Sequence, residues 1–254
     1  MGPGRTTVAA GGQGRLAGGA SPPGLVDAIL YVAHSGVVWR ALPADFPLWE
    51  TVYGFVSRWR KTGVTARLHD ALRESFREVE GRDSQPIAAI LDSQSVKGAQ
   101  TVGSGSGGYD AGQKVNSRTR FVINDTLGLL LAVLVVPASV QDRDGGRRIM
   151  VDHCFAHRRC RQVFADGGFA GRFVEWAHYV VKTTVEIVRK RPGQKTFEAL
   201  PKRWAVERGL AWLSAHRRLV RDYERHPATS ESFINWAMIR TMVCQIVCGT
   251  PALR

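Results

Sequence analysis

The chain has 254 residues, enough for one full-sized domain and a small accessory one. With 44% hydrophobic and only 22% charged residues it can bury a core, which excludes an intrinsically disordered polymer. Lys and Arg outnumber Asp and Glu by 35 to 22, giving a net charge of +13. Such an excess favours a polyanionic partner, nucleic acid ahead of an anionic membrane surface. No basic segment followed by an apolar stretch marks a secretory leader. The longest apolar run, residues 127–136, is about half of the roughly 20 residues a membrane-spanning helix needs, so a cytoplasmic protein is expected.

Residues 1–24 are rich in Gly, Ala and Pro and nearly devoid of large apolar side chains, which predicts a disordered tail. Residues 25–80 read as a small all-helical domain. An apolar segment covers 25–33; Trp49, Val52, Tyr53, Val56 and Trp59 line one side of a second helix ended by Gly63; Leu68, Leu72, Phe76 and Val79 line a third. Three helices with basic ends fit a helix-turn-helix-like DNA reader and a plain helical cap equally well. A second domain is expected over 86–250. Its pattern shifts to strands at 87–91, 119–124 and 129–136, then alternates: helix 143–157, strand 162–165, helix 172–181, strand 183–188. A long helix follows from Pro201 to about 224, and a last apolar helix from 232 to 248. Three strands able to form a meander, followed by strands alternating with helices, predict an α/β fold, a ribonuclease-H-like mixed sheet flanked by helices.

Three acids stand where such a sheet would gather them. Asp92 ends the first strand in "AAILDSQSVKG", Asp166 ends the fourth in "VFADGGFAG", and Glu207 lies in the last long helix. Neighbouring strands would bring the two aspartates together and the helix would supply the glutamate. Converging carboxylates repel unless a cation neutralises them, and hard oxygen donors suit Mg²⁺ or Mn²⁺. An isolated Asp after a strand is more commonly a turn or helix-cap residue; Asp142, Asp144 and Asp152 are assigned to caps or solvated faces. On a continuous helix, Arg203, Glu207, Ser214, Arg218 and Arg221 share one arc, opposite Ala205, Trp212, Leu213, Leu219 and Val220. Arg203 and Glu207 then form either a routine ion pair or a phosphate clamp beside a metal ligand.

The segments "DAILYVAHSGVVWRALPADFPLWETVYGFVSRWRKTGV", "LDSQSVKG", "GYDAGQKVNSRTRFVINDTLGLLLAVLV", "ADGGFAG" and "RWAVERGLAWLSAHRRLVRDYERHPATSESFINWAMIRTM" follow one another in the order found in a known family. From Asp27 to about Ile246 the chain resembles the DDE transposases of bacterial insertion sequences, the insertion-sequence-five-like group. The resemblance implies the ribonuclease-H-like fold, metal-dependent DNA cleavage and strand transfer with two Mg²⁺ ions (Mn²⁺ substituting), and Asp92, Asp166 and Glu207 as the catalytic and metal-binding triad. It further implies DNA as partner, a homodimer or higher assembly on that DNA, a nucleoid-associated location, and Arg203 at the transposon end. Lys97, Lys114, Arg118, Arg217 and Arg218 complete the expected phosphate-binding set.

The resemblance is incomplete at two places. A Gly/Ala-rich stretch stands where the family has an ordered segment, and in its Tyr-Arg-Glu-Lys signature the Tyr and Lys positions hold Leu200 and Ser214. These departures leave a second reading, a DNA-binding remnant without catalysis. A nuclease or resolvase that cuts without joining is a third. The glycine-rich residues 98–117 read as a flexible connection, and His153, Cys154, His157 and Cys160 as free thiols and histidines rather than a zinc site.

Overall fold

A mixed six-stranded sheet forms the centre of the computed structural model, which describes residues 21–103, 105–110, 114–188 and 203–249. The strands are β1 (Ala88–Lys97), β2 (Gly108–Asp110), β3 (Val115–Asp125), β4 (Leu130–Pro137), β5 (Gln162–Ala165) and β6 (Thr184–Ile187). β1 pairs antiparallel with β3, and β3 with both β4 and the short β2; β5 is parallel to β1 and β6 to β5. A three-strand meander followed by two parallel crossovers is the expected ribonuclease-H-like order. The helices are α1 (Pro22–Ser35), α2 (Trp49–Lys61), α3 (Val64–Val79), α4 (Asp142–Ala156), α5 (Arg172–Val180), α6 (Arg203–Ser214) and α7 (Pro227–Cys248). None of them is long and apolar enough to cross a membrane.

Strand alternation divides the interior into two layers. Leu91, Phe121, Ile123, Val163 and Ala165 pack with Ile149, Met150 and Phe173 beneath α4 and α5. On the other face Ile90 and Phe164 meet Ala205 of α6, while Val122 and Val135 join a large cluster with α7 and the N-terminal helices. Leu25, Ile29, Val56, Phe76, Phe233 and Trp236 belong to that one cluster. The three expected N-terminal helices are therefore present and share their core with α7.

The structure departs from the periodicity in three places. β1 does not stop at Asp92; β3 continues to pair with it from Ser93↔Phe121 to Lys97↔Ser117. The glycine-rich connection contains β2, held by Tyr109↔Asn116. The long helix ends at Ser214, where the Ser214 hydroxyl donates back to the Leu210 carbonyl and His216 Nδ1 lies 2.8 Å from the Trp212 carbonyl, taking up groups a continuing helix would use. Arg218 and Arg221 consequently leave the arc that Glu207 occupies. Of the tail expected at 1–24, residues 1–20 lie outside the described residues, as do Leu200 and the start of the helix at Pro201. The last residues of that tail are helical: α1 begins at Pro22, capped by the Ser21 hydroxyl, which accepts the Gly24 N–H.

α4 approaches the sheet through two glycines. A Cβ on Gly145 would fall 2.1 Å from the Phe121 ring, and one on Gly146 would fall 2.8 Å from Phe169. Gly145→Ala is expected to cost about 1–3 kcal/mol by overpacking. Gly54→Ala, in open space on α2, should be neutral or stabilising by up to about 1 kcal/mol. Urea melts of the two variants check the contrast.

His153 of α4 is 0% exposed. Burial, reinforced by the positive charges of His157 and Arg73, pushes its pKa down to about 3 from 6.5. Protons then bind the unfolded chain more readily than the folded one. Stability from neutral His153 is complete above about pH 6.5 and lost as pH falls towards about 3, at up to about 1.4 kcal/mol per pH unit. Thermal melts between pH 7 and 4 should show a shallower acid loss for His153→Leu than for the parent; parallel slopes would contradict this.

Candidate active site

The site is built where β1 loses one neighbour. The β1–β5 ladder ends at Leu91↔Ala165, and the next residues along the two strands are Asp92 and Asp166. Alternation gives Asp92 the same face as Ile90, which is the face α6 covers. Each aspartate is oriented by the backbone that follows it: the Ser93 N–H donates to Asp92 Oδ1 at 2.9 Å, and the Gly168 N–H donates to Asp166 Oδ1 at 2.9 Å. In the second case Asp166 caps a single 3₁₀ turn, Gly167–Phe169. Asp92 is half-buried, while Asp166 and Glu207 are exposed.

Glu207 is carried by α6, whose approach to the sheet is set by glycines. A Cβ on Gly209 would meet the Asn124 amide at 2.6 Å. Gly128, at φ +86 in the β3–β4 turn, would place a Cβ 2.9 Å from the Ala205 carbonyl. Asp125 Oδ1 fixes that turn by accepting the N–H groups of Leu127 and Leu129, and Asp125 Oδ2 pairs with Arg77. α6 therefore rides on a rigid hairpin with Ala205, Trp212 and Leu213 buried and Glu207 turned outward.

Carboxylate oxygens at two adjacent strand ends are the donors that Mg²⁺ or Mn²⁺ prefers, so the chemistry of this set fits a hard divalent cation. Among the described residues no group of three His, Cys, Asp or Glu side chains stands close enough to hold a metal ion. The strands thus pair two of the three expected acids, and Glu207 is on the adjoining helix without closing a three-carboxylate cage.

The basic residues divide sharply. Arg118 is 0% exposed: Nη1 donates to Asp222 at 3.1 Å and to the Glu224 carbonyl at 2.7 Å, and Nη2 to the Arg225 carbonyl at 3.0 Å. Arg218 is also buried, within 2.8 Å of Glu224 and stacked 5.0 Å from the Phe233 ring centroid. Burial raises the pKa of Glu224 against the opposing pull of Arg218. Arg118 and Arg218 thus leave the expected phosphate-binding set, because both are spent on interior ion pairs: Arg118 pins residues 222–225 to β3, and Arg218 braces that same segment internally and against the Val37 carbonyl. Lys97, Lys114 and Arg217 remain exposed. The helix includes Arg203, whose side chain lies outside the described residues. Asp142, read from the sequence as a cap or solvated residue, instead accepts the Ser93 hydroxyl at 3.1 Å; its place in the first turn of α4 gave no hint of that contact.

The chain matches the sequence profile of the transposase DDE domain over residues 83–242, well over half its length. It belongs to that family. Residues 13–69 also match the profile of IS4/5-family transposases. No curated protein sequence matches the chain. Among solved structures, the catalytic domain of the Mos1 mariner transposase is similar at TM-score 0.36 and 9% identity, covering 70% of this chain and 87% of that one. The Mos1 paired end complex with Mn gives 0.32 and 12%, covering 69% and 59%, and the Mos1 strand transfer complex gives 0.31 and 11%, covering 92% and 78%.

If Arg118 is a structural cation, Arg118→Ala leaves Asp222 buried without its partner and should cost about 3–5 kcal/mol. Lys97→Ala, on the surface of the same transposase, should stay within about 0.5 kcal/mol of the parent. Denaturant melts distinguish the two.

Proposed function

We propose that this member of the DDE transposase family cleaves DNA at an insertion-sequence end and joins the freed 3′-hydroxyl to target DNA, with Asp92, Asp166 and Glu207 as its catalytic and metal-binding residues. The observation that carries the reading is the β1–β5 register, in which Leu91 and Ala165 form the last pair and an aspartate follows each. Asp92 and Asp166 would hold divalent cations from the strand ends, with Glu207 completing the set from α6. Two Mg²⁺ ions bound there, or Mn²⁺ in their place, would supply a water of lowered pKa and neutralise charge on the scissile phosphate.

The remaining work falls to this chain's cations. Lys97, Lys114 and Arg217 are exposed and lie outside the ion pairs found among the described residues. They hold backbone phosphates and fix the register of the duplex, while Arg203, four positions before Glu207, orients the phosphate to be cut. The protein works as a homodimer or larger assembly that holds two ends, and associates with the nucleoid through the same phosphate contacts.

A second reading, DNA binding without cleavage, draws support from Leu200 and Ser214 at the signature Tyr and Lys positions. Incubating the chain with a matched element end and Mg²⁺ separates the two. Asp92→Asn, Asp166→Asn and Glu207→Gln are each expected to lower cleavage by about 10²–10³-fold, as loss of charge stabilisation does, while salt-sensitive DNA binding persists. Undiminished cleavage by a folded Asp92→Asn chain rejects the assignment; binding with no cleavage by the parent favours the second reading. Lys97→Ala should reduce the slope of log affinity against log salt by about 1.

A further inference from the structure

A third carboxylate, on a different element, meets the residues that follow the two aspartates. Asp142, in the first turn of α4, accepts the Ser93 hydroxyl at 3.1 Å through Oδ1. Its Oδ2 lies 2.8 Å from the position a Cβ on Gly168 would take, and Asp166 Oδ1 lies 3.1 Å from that same position. Ser93 and Gly168 are the residues whose N–H groups hold Asp92 Oδ1 and Asp166 Oδ1, each at 2.9 Å. One side chain therefore holds the Ser93 hydroxyl and stands beside Gly168, the two residues whose N–H groups aim the aspartates. The contact continues into a polar cleft of about 570 Å³ lined by Ser93, Ser95, Thr119, Asp142 and Gly168.

We propose that Asp142 is a positioning residue for the divalent-cation site. By anchoring the Ser93 hydroxyl it fixes the β1 backbone at the point where Asp92 takes its hydrogen bond. By filling the space beside Gly168 it holds the 3₁₀ turn that orients Asp166. A Cβ at position 168 would crowd Asp142 Oδ2 at 2.8 Å and approach Asp166 Oδ1 at 3.1 Å, so glycine lets the two carboxylates keep these positions. Asp142 acts through these two residues; it is not itself a ligand. The inference rests on Asp92 and Asp166 being the cation ligands, so the test carries a control for that reading.

Mn²⁺ binding to the full chain, followed by the loss of free Mn²⁺ signal in electron paramagnetic resonance, reports the site without DNA or turnover. Asp142→Ala is expected to raise the Mn²⁺ dissociation constant by about tenfold or more, the scale of losing a group that orients metal ligands. Asp142→Asn keeps an acceptor for Ser93 and the same volume, and should stay within about threefold of the parent. Ser93→Ala removes the donor and should weaken binding, with the Ser93→Ala/Asp142→Ala pair showing less than additive loss. Circular dichroism melts identify variants that fold, and Ser93→Ala carries the test if Asp142→Ala does not. A folded Asp142→Ala chain that binds Mn²⁺ as the parent does, or an Asp142→Asn chain as damaged as Asp142→Ala, overturns the positioning role. Asp92→Asn should abolish binding. If Asp92→Asn binds as the parent does, the ligand assignment fails and the positioning role falls with it, whereas lost binding in Asp92→Asn beside intact binding in Asp142→Ala overturns the positioning role alone.

Discussion

The double pairing of β1 governs the rest of the molecule. On one side it runs antiparallel to β3 along its whole length, from Ala89↔Asp125 to Lys97↔Ser117. On the other it is parallel to β5 for only four residues and then stands without that neighbour. The antiparallel ladder supplies stiffness, because each residue of β1 beyond Leu91 stays in register with a long buried strand, alternate pairs exchanging hydrogen bonds. The abrupt end of the parallel ladder supplies a crevice, the place where side chains of adjacent strand ends can face a ligand instead of one another. Asp92 needs both. A strand that stopped at Leu91 would leave it on a mobile loop, and a β5 that ran on would cover it with a further strand.

The elements that complete the site are tied to this sheet by close backbone contacts. α6 leans on the β3–β4 turn through Gly128 and Gly209, and α4 on β3 through Gly145. Such contacts leave little freedom for a rigid helix to shift, since the interior is packed to crystal-like density. The N-terminal helices belong to the same mechanical unit: Phe76 and Arg77 of α3 reach the core cluster and Asp125 respectively, and Asp125 in turn holds the turn beneath α6.

Much of this was legible in the sequence, and the failures have physical causes. Asp92 and Asp166 stood out because apolar, β-branched or aromatic runs precede each, and such runs are read by composition alone. The continuation of β1 through Ser93, Gln94 and Ser95 was hidden, since three polar residues in a row carry no strand signal; only the partner strand β3 makes them extended. The end of α6 was hidden for a related reason. Neither Gly nor Pro punctuates it, and the stop comes from side-chain hydrogen bonds of Ser214 and His216 that depend on the fold. Arg118 and Arg218 were misplaced because a basic side chain in a basic protein looks like surface, and their partners lie 104 and 6 positions away. Asp142 escaped because a carboxylate in the first turn of a helix already has a sufficient local explanation.

The same buried ion pairs sharpen the electrostatic case for a polyanionic partner. Arg77–Asp125, Arg118–Asp222 and Arg218–Glu224 each take one positive and one negative group out of contact with solvent. Removing matched pairs leaves the net charge of +13 untouched while withdrawing three carboxylates from the exterior. Arg73 and Arg120 are buried as well, and burial lowers the pKa of Arg120 to about 10, which still leaves it charged at neutral pH. Interior arginines are therefore not evidence against a phosphate-binding exterior. They consume acids that would otherwise screen it, so the positive field outside is carried by side chains such as Lys97, Lys114 and Arg217, which lie outside those pairs and can exchange their counterions for a nucleic-acid backbone.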